Sequence, residues 1–203
     1  MKKTLISVLT LAIIAASLPV TALAADHSDP VTKKGERLKY NTPYYLKDKN
    51  LPDKGGVIVK PWFLDDFVHF AGVPTDNGTP IIFENNNKTD GLIKSGDWIR
   101  VKSTKVNSQS QYWTLDEMLD SVYLNYDTRT DHRIYGSSKD NSIGIGIHTI
   151  ASGHRGARGA YIELSFRGYK GENTEKAWMR PDLYPISSEK DIQTPFEVIE
   201  VSE

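Results

Sequence analysis

From Tyr40 onward the apolar residues come in runs of three to six, and each run stops at a cluster of Gly, Pro, Asn or Asp. A helix shorter than ~12 residues is marginal in water, whereas strands of ~5–6 residues are ordinary, so this pattern predicts many short strands joined by turns. Alternation supports the reading. In Trp98-Ile99-Arg100-Val101-Lys102 the aliphatic residues Ile99 and Val101 share one face and the long polar side chains the other. Ile162, Leu164 and Phe166 do the same opposite Tyr161, Glu163 and Ser165, and Ile143, Ile145 and Ile147 alternate with Gly144 and Gly146. Those glycines imply close backbone approach or a bulge. Helical signals are confined to Thr114–Leu119, where Thr114 is a candidate cap and Glu117 sits at the matching capping-box position. The expected fold class is all-β: a closed barrel or a two-sheet sandwich.

The chain has no cysteine, so no disulfide framework assists a small core. It divides into three parts. Residues 1–24 read as a Sec-type export leader of the bacterial kind, with Lys2 and Lys3, an apolar run from Leu5 to Ala16, and the small-residue cleavage site Ala22-Leu23-Ala24. That run falls short of the ~20 residues that span a bilayer, so no membrane span is expected and the localisation is secreted. Residues 25–39 are polar and charged without apolar periodicity, and read as a flexible N-terminal spacer. Residues 40–203 form a single domain, long enough to bury its own core. Of the 25 basic and 26 acidic residues, Lys2 and Lys3 leave with the leader, so the mature balance of 23 against 26 argues against a nucleic-acid partner.

A weak repeat runs through the domain. Tyr44-Tyr45-Leu46-Lys47-Asp48 leads into Gly56-Val57-Ile58-Val59; Ile81-Ile82-Phe83-Glu84-Asn85 into Gly91-Leu92-Ile93; and Val122-Tyr123-Leu124-Asn125-Tyr126-Asp127 into Ile134-Tyr135-Gly136. The anchors Leu46, Phe83 and Leu124 are 37 and 41 residues apart. Such a strand-turn-strand unit, repeated about three times, resembles the β-trefoil superfamily, both its lectins and its Kunitz-type inhibitors. The resemblance implies a short six-stranded barrel closed at one end by three hairpins.

It also directs attention to Gln111-Tyr112-Trp113, which is similar to the Gln-x-Trp signature of trefoil lectins. A sugar site needs an aromatic to stack on a pyranose face, with polar acceptors beside it. Trp62, Trp113 and Trp178, with Gln111, are therefore the candidate ligand residues, each set against the ordinary fate of tryptophan in a core. The segment Ala151-Ser152-Gly153-His154-Arg155-Gly156-Ala157-Arg158-Gly159-Ala160 joins two strands and is cationic and glycine-rich. His154, Arg155 and Arg158 mark it as a candidate protein-contact loop. By resemblance to Kunitz-type inhibitors it would offer Arg155 or Arg158 to an acidic protease pocket, although glycine-rich flexibility opposes tight inhibition.

Catalytic chemistry has little support. The histidine and acid groupings are Asp65-Asp66 with His69, Asp131-His132, and His148 with His154, and none has metal-ligand or acid-base spacing. On a strand, Asp66 and His69 fall on opposite faces. No nucleophile elbow, zinc-protease helix or phosphate loop is present. No cofactor or metal is expected. The sequence thus predicts a secreted monomeric binding module, lectin-like or toxin-associated, that recognises carbohydrate or a cell-surface or host protein through its loops, with a protease inhibitor as the alternative and an extracellular hydrolase behind both.

Overall fold

The computed structural model describes residues 29–88, 90–104, 111–126, 131–150, 158–172, 174–183 and 192–201. Among them there are twelve strands: β1 (Pro43–Asp48), β2 (Val57–Trp62), β3 (Asp65–Phe70), β4 (Ile81–Glu84), β5 (Asp97–Ser103), β6 (Tyr112–Asp116), β7 (Ser121–Asn125), β8 (His132–Gly136), β9 (Ile143–Ile150), β10 (Tyr161–Lys170), β11 (Ala177–Asp182) and β12 (Phe196–Glu200). Six of them close on themselves. β1 pairs with β4, β4 with β5, β5 with β8, β8 with β9, β9 with β12, and β12 returns to β1, every pairing antiparallel. The other six form the hairpins β2–β3, β6–β7 and β10–β11, which meet where β3 bridges β7 at Phe67↔Tyr123 and β11 at His69↔Trp178. A six-stranded ring carrying three hairpins is the β-trefoil, and ring closure excludes the sandwich. Closure also pairs both edges of each barrel strand, which a sandwich cannot do.

The alternation seen in the sequence fills the barrel. Leu46, Phe83, Ile99, Val101, Ile134, Ile143, Ile145, Phe196 and Val198 are buried from all six ring strands. Phe166, Trp113, Leu124 and Met179 close the interior from the hairpins. Gly144 and Gly146 lie opposite Tyr135 and Arg133 of β8 and are themselves buried, consistent with close approach at this seam.

Three expectations are corrected. The repeat is real in the pairing but not in the register read from sequence. Leu46, Phe83 and Leu124 occupy β1, β4 and β7, which are different positions within the units β1–β4, β5–β8 and β9–β12. Moreover, residues 91–93 form no strand, only a bridge from Leu92 to Lys39. Any alternating strand that ends in a polar turn matches the pattern, so equivalent chemistry does not identify equivalent strands. Secondly, residues 29–39 are packed rather than a spacer. Val31 and Leu38 are buried, the Lys33 amide donates to the Val198 carbonyl at 2.7 Å, and the Ile93 amide donates to the Leu38 carbonyl at 2.9 Å. Two isolated apolar side chains dock this polar stretch on the barrel, too few to register as periodicity. Thirdly, Thr114–Leu119 is the end of β6 and its turn, not a helix. The Asp116 carboxylate accepts the amides of Met118 and Leu119, both at 2.9 Å, and turns the chain back into β7.

Candidate functional site

The β2–β3 hairpin has an inner face of Val57, Val59, Val68 and Phe70, all buried, and an outer face of Ile58, Lys60, Trp62, Phe67 and His69. Phe67 is nonetheless covered. The Trp62 indole meets it edge-on at 5.1 Å and Tyr123 lies over it at 5.9 Å, so the outer face carries a second small aromatic cluster. On the neighbouring hairpin Trp178 is set against Tyr169, edge to face at 5.0 Å. Gly171 packs close to the same indole, and a Cβ there would sit 3.2 Å from Trp178. Trp178 is thus held by its own hairpin and delivered next to His69 by the β3–β11 bridge.

Between the two hairpins lies a surface cleft of about 360 Å³, lined by Trp62, Trp178, His69 and Phe70, with the exposed Lys60 and Lys176 at its rim. This volume falls in the lower range for small-molecule sites. Burial is the main cause that drives the His69 pKa below that of a free imidazole, and the Lys60 ammonium adds to it, so the ring is neutral at physiological pH. Its contact with the Ala177 backbone opposes the shift, while Nε2 is buried without a partner. Glu175, also on the rim, accepts from the Lys54 ammonium at 3.0 Å, and its carboxyl is held below the usual range by that bond and by Lys170. Two indoles, a neutral imidazole and the charged groups of Lys60, Lys176 and Glu175 together offer stacking surface and hydrogen-bond partners to a polar ring. Among the described residues no group of three or more His, Cys, Asp or Glu side chains is placed to hold a metal.

The structure thus brings together two of the residues singled out from sequence, Trp62 and Trp178. It removes a third. Trp113 is 0% exposed, stands opposite buried Leu124 in the β6–β7 ladder, and packs at 6.4 Å from Phe166. Strand alternation turns it inward, so it is a core residue and offers no platform. Gln111 serves the same ladder through its backbone: its amide donates to the Asn125 carbonyl at 3.0 Å, and its carbonyl accepts from Ser103 at 2.8 Å. The Gln-x-Trp pair is structural here. Arg158 is exposed in the turn before β10, and His154 and Arg155 lie outside the described residues. As strand alternation requires, Asp66 and His69 fall on opposite faces of β3. Asp131 is exposed while its neighbour His132 is 0% exposed, and His148 faces Glu163 at 3.4 Å. Sequence reasoning missed Lys60 and Lys176 because lysine on an outer strand face is unremarkable. Only the pairing of the hairpins makes them a rim.

No protein-family model matches the sequence, and no curated protein does. Solved structures do. The Kunitz trypsin inhibitor of soybean superimposes with a TM-score of 0.63 at 11% identity, covering 86% of this chain and 99% of that one. The fold is the β-trefoil of that inhibitor. A bifunctional α-amylase/subtilisin inhibitor from rice, Oryza sativa, matches with a TM-score of 0.56 at 16% identity, over 84% of this chain and 98% of the other. The binding domain of Paraclostridial Mosquitocidal Protein 1 matches at 0.60 and 13% identity over 87% of this chain, which spans 45% of that structure. At these identities the likeness is one of architecture, and the cleft between Trp62 and Trp178 has to be read on its own chemistry.

Proposed function

We propose that the chain is an exported binding protein that holds a carbohydrate ring in the cleft between Trp62 and Trp178. The observation that carries this reading is the convergence of two tryptophans, from separate hairpins, on one concavity of about 360 Å³. Each hairpin fixes its indole by an edge contact, Trp62 on Phe67 and Trp178 on Tyr169, so little side-chain freedom remains to be lost on binding. A pyranose stacks its C–H face on indole, and Lys60, Lys176 and the Glu175 carboxylate supply partners for hydroxyl groups. Export follows from the leader at residues 1–24. It is tested by whether the extracellular protein begins at Ala25.

A glycan array read with the mature protein is the direct experiment, followed by titration of the best glycan. Trp62→Ala and Trp178→Ala should each weaken that glycan at least tenfold, and Trp98→Ala, away from the cleft, should leave it unchanged. An array without saturable binding, or a glycan indifferent to both cleft tryptophans, sinks the reading.

A second reading has its own observation. Arg158 is exposed in the β9–β10 connection, and two of the structurally similar proteins above are named as inhibitors of trypsin or of subtilisin and α-amylase. If the chain is a protease inhibitor acting through this loop, it blocks a trypsin-like enzyme stoichiometrically, and Arg155→Ala or Arg158→Ala abolishes the block. Slow cleavage of the loop without inhibition would exclude it.

A further inference from the structure

The connection between β2 and β3 is two residues long, since Trp62 pairs directly with Asp65. Its residues are Phe63 and Leu64, and Phe63 has φ +54°. Two-residue hairpins that need a positive φ at the first turn position ordinarily place Gly there, because a bulky side chain strains that conformation. Here the position holds an aromatic ring that is 77% exposed, followed by a leucine that is 100% exposed. The tip is not loose. Phe63 stacks on Trp62 at 5.4 Å, Trp62 sits edge-on to Phe67 at 5.1 Å, and Phe67 lies 5.9 Å from Tyr123, so a run of four rings ties the exposed end to the hairpin cluster. The fold therefore supports a rigid, convex, apolar point at a place where turn chemistry favours a small polar residue.

We propose that the Phe63–Leu64 tip is a membrane-surface anchor that dips into the interface of a zwitterionic bilayer. The shape of the tip favours lipid over protein. Two projecting side chains offer far less than the ~800 Å² per partner of a standard protein interface, whereas a bilayer requires no matching contour. Composition agrees, because tryptophan at the base with phenylalanine and leucine at the point is the interfacial set, indole at headgroup level and hydrocarbon below it. Charge selects the kind of surface. Lys60 lies two residues behind Trp62 on β2, and exposed Asp65 stands directly across from Trp62 on β3. With the acid nearest the tip and the lysine two residues further back, there is no basic patch at the point to draw it to anionic lipid. A single anchor of this size gives weak, reversible association, weaker than that of one acyl chain.

The test uses the mature protein and multilamellar vesicles of pure phosphatidylcholine, which sediment without a sucrose load and present no glycan, so the result is independent of the glycan reading. The protein should co-sediment with these vesicles, and brominated phosphatidylcholine should quench part of its tryptophan emission. Leu64→Asp should lower the partition constant at least tenfold, Leu64→Met should retain it, and Trp62→Phe should keep sedimentation while losing most of the quenching. Because Leu64 is fully exposed, both substitutions at that position should leave the melting temperature unchanged. Failure to sediment overturns the proposal. So does sedimentation that Leu64→Asp does not reduce, or binding that requires phosphatidylserine and vanishes in high salt, since each assigns the contact to another surface.

Discussion

Gly168, near the end of β10, has no room for a side chain. A Cβ there would stand 2.4 Å from the Leu51 Cδ1, 2.9 Å from an Asp48 carboxylate oxygen and 3.0 Å from the Phe70 ring. The same Asp48 carboxylate is buried and accepts the Gly168 amide through one oxygen and the Asn50 amide, at 2.7 Å, through the other. Gly168→Ala should therefore cost about 1–3 kcal/mol of stability, as overpacking does. Asp48→Ala should cost a similar ~1–3 kcal/mol by leaving buried donors unpaired. Urea unfolding of both variants measures this, and a change within 0.5 kcal/mol, roughly the range of a neutral surface substitution, would refute the packing argument. Neither role was visible in the sequence, where Gly168 is one glycine in a strand and Asp48 one acid in a turn. The tryptophans divide in the same way. Their number made a binding site conceivable, but only register tells Trp113, facing Leu124 inside, from Trp62 and Trp178, which line one cleft.

At the scale of elements the alternating strands were readable, because burial on one face leaves a period of two in the chain. Ile99 with Val101, and Ile143 with Ile145, face inward as that period requires. What could not be read was which strand corresponds to which, since hairpin β2–β3 and ring strand β1 carry the same kind of residues. Long-range latches were equally hidden. Lys54, in the connection between β1 and β2, has a buried side chain whose ammonium reaches Glu175 on the β10–β11 turn at 3.0 Å and Asp53 at 3.6 Å. Glu175 itself is largely exposed, so solvent screens the pair and its coupling should be small. A double-mutant cycle with Lys54→Met and Glu175→Gln measures it. Lys54→Met alone should cost less than Glu175→Gln, because methionine keeps the buried stem, whereas Glu175→Gln leaves a buried ammonium with one distant partner. The reverse order would mean that packing rather than charge holds the two elements together.

Among the described residues, one histidine is sealed in the interior of the molecule. His132 is fully buried on ring strand β8, with its imidazole edge-on to Phe166 at 5.3 Å. Burial lowers its pKa from 6.5 to about 4, opposed only by the Ile99 backbone. The unfolded chain therefore binds a proton at His132 between pH 6.5 and 4 that the folded barrel refuses. Unfolded chains thus take up more protons as the pH falls, and stability drops with acidification across that window. The stabilisation is fully present above pH 6.5 and has been lost below about pH 4, a difference of about 3 kcal/mol. His69 shifts in the same direction, also through burial, and adds to the slope. Asp97 and Asp140, whose carboxyls are lowered by ion pairs with Lys88 and Lys49, contribute only further down, below the ordinary carboxylate range. Asp48 acts in the opposite sense, because burial raises its pKa and protonation there favours the folded state. Urea midpoints measured from pH 7.5 to 4 should therefore fall well before the carboxylates titrate, and His132→Leu, of similar volume, should flatten most of that fall. A wild-type curve level down to pH 4.5, or a His132→Leu curve just as steep, would show that the barrel interior admits the proton without opening.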